Sequence, residues 1–123
     1  MTTANPWTGK TETPTDELLR RAKTMTEADL QACVETAAKL RGWRTYHTHD
    51  SRRSQAGFPD LVLVRGNHIL WRELKTMTGR LRPEQHAWID DLEHAGADVG
   101  IWRPIDWLNG TIDRELTTSR TNA

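Results

Sequence analysis

An α/β sandwich with its elements in the order α-β-β-β-α-β is the fold predicted by the sequence of 123 residues. Three observations lead to it. Two runs, the first of them a strand by its β-branched content, flank Gly66-Asn67, two other stretches repeat apolar residues at helical spacing, and the second of these stands between the paired runs and a last short strand. A three-strand meander followed by a helical crossover brings that last strand back alongside the sheet.

The elements follow in order. Residues 1–23 hold several Thr, two Pro and few large apolar groups beyond Trp7, Leu18 and Leu19, which predicts a flexible N-terminal arm ahead of a single domain over residues 24–116. A first helix is expected over residues 26–41, where Leu30, Val34, Ala37, Ala38 and Arg41 form one stripe and Gly42 supplies the stop. Residues 43–49 read as a strand, residues 60–64 as a second and residues 68–75 as a third. Pro83 suits the first turn of a helix that carries Trp88, Ile89, Leu92 and Ala95 toward the core and ends at Gly96. Residues 98–103 form the last strand. Residues 105–116 read as a weaker helical or irregular ending, and residues 117–123 as a frayed tail.

If Gly66 and Asn67 are the central residues of a two-residue turn, Val64 pairs with Ile69 and Val62 with Trp71. The same register sets Asp60 across from Glu73, with Lys75 one step further along that face. The other face carries Leu61, Leu63, Leu70 and Leu74, so the ionisable cluster lies at the edge of a core. Two facing carboxylates repel unless something compensates them. A divalent cation would do so, and oxygen ligands from Asp and Glu suit Mg²⁺. Spacing alone leaves a simpler role open, in which Lys75 forms a salt bridge with Glu73 or Asp60 on an exposed strand end.

Composition narrows the setting. The single Cys33 excludes an intrachain disulfide framework and a zinc finger and fits a reducing, cytoplasmic environment. No stretch is apolar for long enough to span a bilayer, and the Thr-rich start lacks the features of a signal peptide. Seventeen basic and seventeen acidic residues cancel, but residues 39–82 hold ten Lys or Arg against three acids, and residues 83–98 hold five acids and no Lys or Arg. The basic block suits phosphate neutralisation and equally suits a solvated surface. His47 and His49, two apart, are a weak metal motif, and no further zinc ligands cluster with them. Trp43, Trp71, Trp88 and Trp102 fall in regular elements, where core packing explains them.

Gly57-Phe-Pro-Asp60 followed by Trp71-Arg-Glu73-Leu-Lys75 resembles the PD-(D/E)XK nuclease signature, and more specifically the VRR-NUC domain, over residues 26–104. The resemblance implies a restriction-endonuclease-like α-β-β-β-α-β core, with a mixed central sheet flanked by helices, and Mg²⁺- or Mn²⁺-dependent hydrolysis of DNA. It implies that Asp60 and Glu73 bind metal and that Lys75 is the catalytic lysine. Glu27 resembles the acid at the start of the family's first helix; its helical spacing with Leu30 and Val34 points it at the sheet, while its other role is to stabilise the helix N-terminus. Gln85 resembles the glutamine of the second helix, where it either positions water or DNA or serves as a buried amide bonded to backbone. Arg52 and Arg53 before the acidic strand, and Arg80 and Arg82 after the hairpin, are candidate contacts to a DNA backbone or simply exposed basic loops.

The function expected is a metal-dependent DNA endonuclease acting on branched or structured DNA in replication, recombination or repair, in a phage or mobile-element setting. A homodimer is expected because so small a domain has one site. The alternative is a nucleic-acid-binding module that hydrolyses nothing. No segment is large enough for elaborate base readout, which argues against a restriction-type enzyme.

Overall fold

The computed structural model describes residues 3–4, 11–48 and 55–118. The elements are β1 (Thr3–Ala4), β2 (Thr11–Glu12), α1 (Pro14–Ala22), α2 (Glu27–Leu40), β3 (Arg44–His47), β4 (Leu61–Arg65), β5 (His68–Leu74), α3 (Pro83–His94), β6 (Asp98–Trp102), α4 (Pro104–Leu108) and α5 (Thr111–Thr118). β1 and β2 form a separate antiparallel pair, and the main sheet has the order β3-β4-β5-β6. The first three strands of that sheet are antiparallel and β6 joins parallel to β5, so the sheet is mixed, as the helical crossover requires. No helix among the described residues is long and apolar enough to cross a membrane.

The hairpin has the register expected from its turn. Val62 pairs with Trp71 and Val64 with Ile69, and Arg65 and His68 close the loop. Gly66 takes a φ of 60° and no other residue type has positive φ among the described residues, a pattern that places the glycine at the first central position of a type II′ turn. Because side chains alternate across the sheet, Leu61, Leu63, Leu70 and Leu74 all fall on one face and are buried there.

α2 covers that face. Its start is fixed by a capping box in which Asp29 N donates to Thr26 Oγ1 and Thr26 N donates to the Asp29 carboxylate. Its buried stripe is Leu30, Val34, Ala37 and Ala38. A reversal at Gly42, φ 83°, then leads into β3. β3 therefore runs back along α2, which puts the N-terminus of α2 at the same end of the sheet as Asp60.

Two segments carry more structure than expected. Residues 14–22, within the predicted arm, form α1, because Thr13 and Asp16 make a second capping box, Pro14 occupies the first turn and Ala22 is buried. Residues 104–118 form α4 and α5, and Ile112 and Leu116 of α5 complete the core. Trp43 Nε1 donates to Leu116 O at 3.0 Å, which ties α5 to the start of β3. In α3 the expected apolar stripe is only half-buried, Ala95 is exposed, and Gln85 is the buried residue. The helix packs chiefly beside β6 and so covers only part of its side of the sheet.

Candidate active site

The site forms where β4 begins and β5 ends. Asp60 stands just before β4, and the pairing with β3 continues past the ladder to reach it, with Thr48 N donating to Asp60 O (2.9 Å) and Thr48 Oγ1 to Pro59 O (3.1 Å). From the other side Leu74 N donates to Asp60 Oδ2 at 2.8 Å. Both neighbouring strands thus hold the residue, one by its backbone and the other by its carboxylate.

Glu73 is only 2% exposed. Its Oε2 accepts from Gln85 Nε2 at 2.8 Å and lies 3.5 Å from Lys75 Nζ, while Oε1 is buried with no hydrogen-bond partner. Burial, and then the negative charge of Asp60 within hydrogen-bonding reach, raise the Glu73 carboxyl from 4.5 to about 7, and the Lys75 ammonium pulls against them. Lys75 is itself buried, which removes the exposed strand end as its setting; its backbone N–H donates to Trp102 O at 3.1 Å.

Gln85 is a buried amide bonded to backbone, and it also reaches the site through Glu73. Its Oε1 accepts from Arg82 N at 2.8 Å, closing the first turn of α3, and this frees the amide NH₂ to face Glu73. A buried amide bonded to backbone is what aims the donor at the carboxylate.

The loop ahead of Asp60 is seated against the same helix turn. Gly57 has a φ of 88°, and a Cβ on it would lie 2.4 Å from the carbonyl carbon and oxygen of Glu84 and 2.8 Å from Gln85 N. Only glycine meets both demands. Phe58 then inserts edge-on against Trp71 and Trp88, with centroids at 5.9 and 5.1 Å, and Pro59 is fully buried. On the far side, Arg103 Nη1 donates to Thr76 O (2.6 Å) and Gly79 O (2.8 Å), clamping the loop that follows Lys75. Nothing local in the sequence points to Arg103, and Gly57 stood there only as the start of the Gly57-Phe-Pro-Asp60 signature.

Asp60 and Gln85 open onto a cavity of about 260 Å³ that His47, Thr48, Gln55 and Arg82 also line, and Glu73 and Lys75 lie buried behind them. Asp60, Glu73, Lys75 and Gln85 are therefore brought together, with Arg82 at the cavity wall. Arg80 is exposed on the preceding loop and does not line the cavity. Arg52 and Arg53, like His49, lie outside the described residues.

Glu27 does not face the sheet as its spacing predicted. It is the first residue of α2, where side chains tilt toward the helix N-terminus, and it is exposed, not buried with Leu30 and Val34. Among the described residues no three His, Cys, Asp or Glu side chains come together as a metal-holding group. The pair Asp60 and Glu73 still fits a hard cation. Mg²⁺ is commonly held by one or two carboxylates, with waters and phosphate oxygens completing its shell, and Glu73 Oε1, buried beside a second carboxylate, has no hydrogen-bond partner although Lys75 sits at the other oxygen.

A mixed sheet flanked by helices, with an Asp, a Glu and a Lys converging at one end of its central strands, defines a nuclease-type α/β domain. The VRR-NUC domain model matches residues 7–103, and the chain belongs to that family of DNA-processing nuclease domains. A solved structure described as a VRR_NUC domain has the same fold, with a TM-score of 0.60 at 19% identity, covering 75% of this chain and 95% of that one. Among curated proteins none is similar to the chain. The match ends at β6, so α4 and α5, with their share of the core, stand beyond it.

Proposed function

We propose that the chain is a Mg²⁺-dependent DNA endonuclease, with Mn²⁺ as a substitute, that cuts branched or otherwise structured DNA. The observation that supports this reading best is the buried Glu73, whose Oε1 has no partner while Asp60, Lys75 and Gln85 surround the rest of the group. A carboxylate kept this way in a purely structural role would be a standing cost to the fold.

Asp60 and Glu73 would hold the cation, and Glu27, at the same end of the sheet, is the further acid proposed to approach it. When bound, Mg²⁺ polarises the phosphate and lowers the pKa of a coordinated water. The chain's own groups do the rest. Gln85 and the Leu74 N–H fix the two carboxylates, so little reorganisation is needed when substrate enters. The Lys75 ammonium, beside Glu73 in a buried setting, stabilises negative charge that grows on the phosphate oxygens. Arg82 at the cavity wall, with Arg80 two residues before it and Arg52 and Arg53 ahead of Asp60 in the sequence, is proposed to take flanking phosphates. One domain has one such site, so cutting two strands calls for two copies, and a homodimer is proposed.

Labelled junction, flap, duplex and single-stranded DNA incubated with Mg²⁺, and in parallel with EDTA, test this reading. Cleavage of branched substrates that EDTA abolishes is expected. No cleavage of any substrate would leave the non-catalytic binding module in its place.

A further inference from the structure

Beyond the cavity at Asp60, a second groove of about 440 Å³ runs along the outer edge of β3, with Glu35 and Lys39 of α2 on one side of that edge and Arg44 and Tyr46, which share the sheet face turned away from α2, on the other. Lys39, Arg44 and Tyr46 line it, and so does His47, which also lines the Asp60 cavity and so stands between the two. β3 is the edge strand of the sheet, and no strand among the described residues covers its outer side. Tyr46 is 61% exposed although it is a large aromatic residue. Arg44 and Lys39 are exposed as well; the groove's one acid, Glu35, is half-buried and accepts from Gln31 at 3.4 Å. From the site outward the order is carboxylate, aromatic ring, cation. Tyr46 pairs with Val62, two residues from Asp60, and Arg44 pairs with Val64, two further on. Same-face residues two apart are separated by roughly 7 Å along a strand.

We infer that this groove carries an unpaired DNA strand away from the scissile phosphate, with a base stacked on Tyr46 and the backbone held by Arg44 and Lys39. An aromatic ring accepts the face of a base only where that base is unstacked, whereas a duplex keeps its base faces covered. The groove thus selects substrates with a single-stranded segment beside the cut. This inference rests on the reading of the Asp60 cavity as the site of cleavage.

The test is fluorescence anisotropy in EDTA, where nothing is cut, with a labelled single strand of about 12 nucleotides and its blunt duplex. Tyr46→Ala is expected to weaken binding of the strand about fivefold or more and to leave the duplex within about twofold, with Tyr46→Trp restoring the strand. An Arg44→Ala/Lys39→Ala double variant should weaken strand binding and flatten its salt dependence. Equal loss for strand and duplex, or no loss for either, would overturn the inference. So would sedimentation showing that wild-type protein self-associates through this side of the sheet and that Val64→Lys/Ile69→Lys abolishes it, since Val64 (39% exposed) and Ile69 (45%) lie on the same open face as Tyr46. Cleavage of DNA by wild-type protein with no effect of Tyr46→Ala would sink this inference alone. Tyr46-dependent strand binding without any cleavage would instead sink the nuclease reading.

Discussion

Gln85 Nε2 donates to Glu73 Oε2 across 2.8 Å, and the same side chain closes the first turn of α3 by accepting from Arg82 N. The helix start and the carboxylate are therefore positioned by one amide. Gly57, pressed against the backbone of Glu84 and Gln85, brings the Asp60 loop to the same turn. Two strands and one helix end meet on a few atoms, and the position of the acidic pair follows from that meeting.

Gln85→Ala removes the donor that fixes Glu73. We expect the cleavage rate to fall roughly 10- to 100-fold, with more Mg²⁺ needed for half-maximal rate, as is usual when the partner of a metal ligand is lost. A Mg²⁺ titration of the rate measures both. A fall in rate at unchanged Mg²⁺ requirement would mean that Gln85 acts on the substrate rather than through Glu73.

The Glu73 carboxyl gives the stability a specific pH dependence. Its folded value, about 7, lies above the unfolded value, so the folded state binds the extra proton between about 4.5 and 7, and stability falls as pH rises through that window. In EDTA the protein should be more resistant to urea at pH 5 than at pH 8. Glu73→Gln should be more stable than wild type at pH 8 and gain nothing at pH 5, while Mg²⁺ should recover part of the wild-type loss by binding the folded state. Identical urea midpoints for wild type at the two pH values would contradict this.

Gly57→Ala introduces a left-handed alanine and a Cβ in contact with backbone that has no room to yield. A loss of about 1 to 3 kcal/mol in unfolding free energy is expected, together with loss of activity because Asp60 and Gln85 no longer align. Chemical denaturation checks the first and cleavage the second. Wild-type values in both would show that the loop and α3 are not in close contact.

Arg103→Leu releases the loop carrying Thr76 and Gly79. Hydrogen exchange should quicken at residues 76–82 and stay unchanged in β4, where no bond from Arg103 reaches. Faster exchange throughout the sheet would instead make Arg103 a determinant of global stability.

Much of this arrangement was legible from the residues. The hairpin register followed from Gly66 and the alternation of Leu61, Leu63, Leu70 and Leu74, because a slip by one residue would turn that whole set away from the core. With the register came the neighbourhood of Asp60, Glu73 and Lys75. Contacts between distant segments were not legible. The approach of Gly57 to Glu84 and the reach of Arg103 to Thr76 depend on how loops pack, and no periodicity encodes that. The burial expected of Glu27 failed at a helix end, where the first residue of α2 is exposed although it continues the stripe of Leu30 and Val34. α1 was obscured because its exposed face resembles an arm in composition, and only Thr13, Pro14 and Asp16 mark its start.

The most direct test of the central claim is single-turnover cleavage of a labelled branched DNA at saturating Mg²⁺ by wild type and by Lys75→Ala, with matched binding of the DNA in EDTA. The account predicts equal binding within about twofold and a rate lower by roughly 100-fold or more in the variant, the size of effect seen when one such stabilising group is removed. Cleavage by Lys75→Ala at the wild-type rate would contradict it.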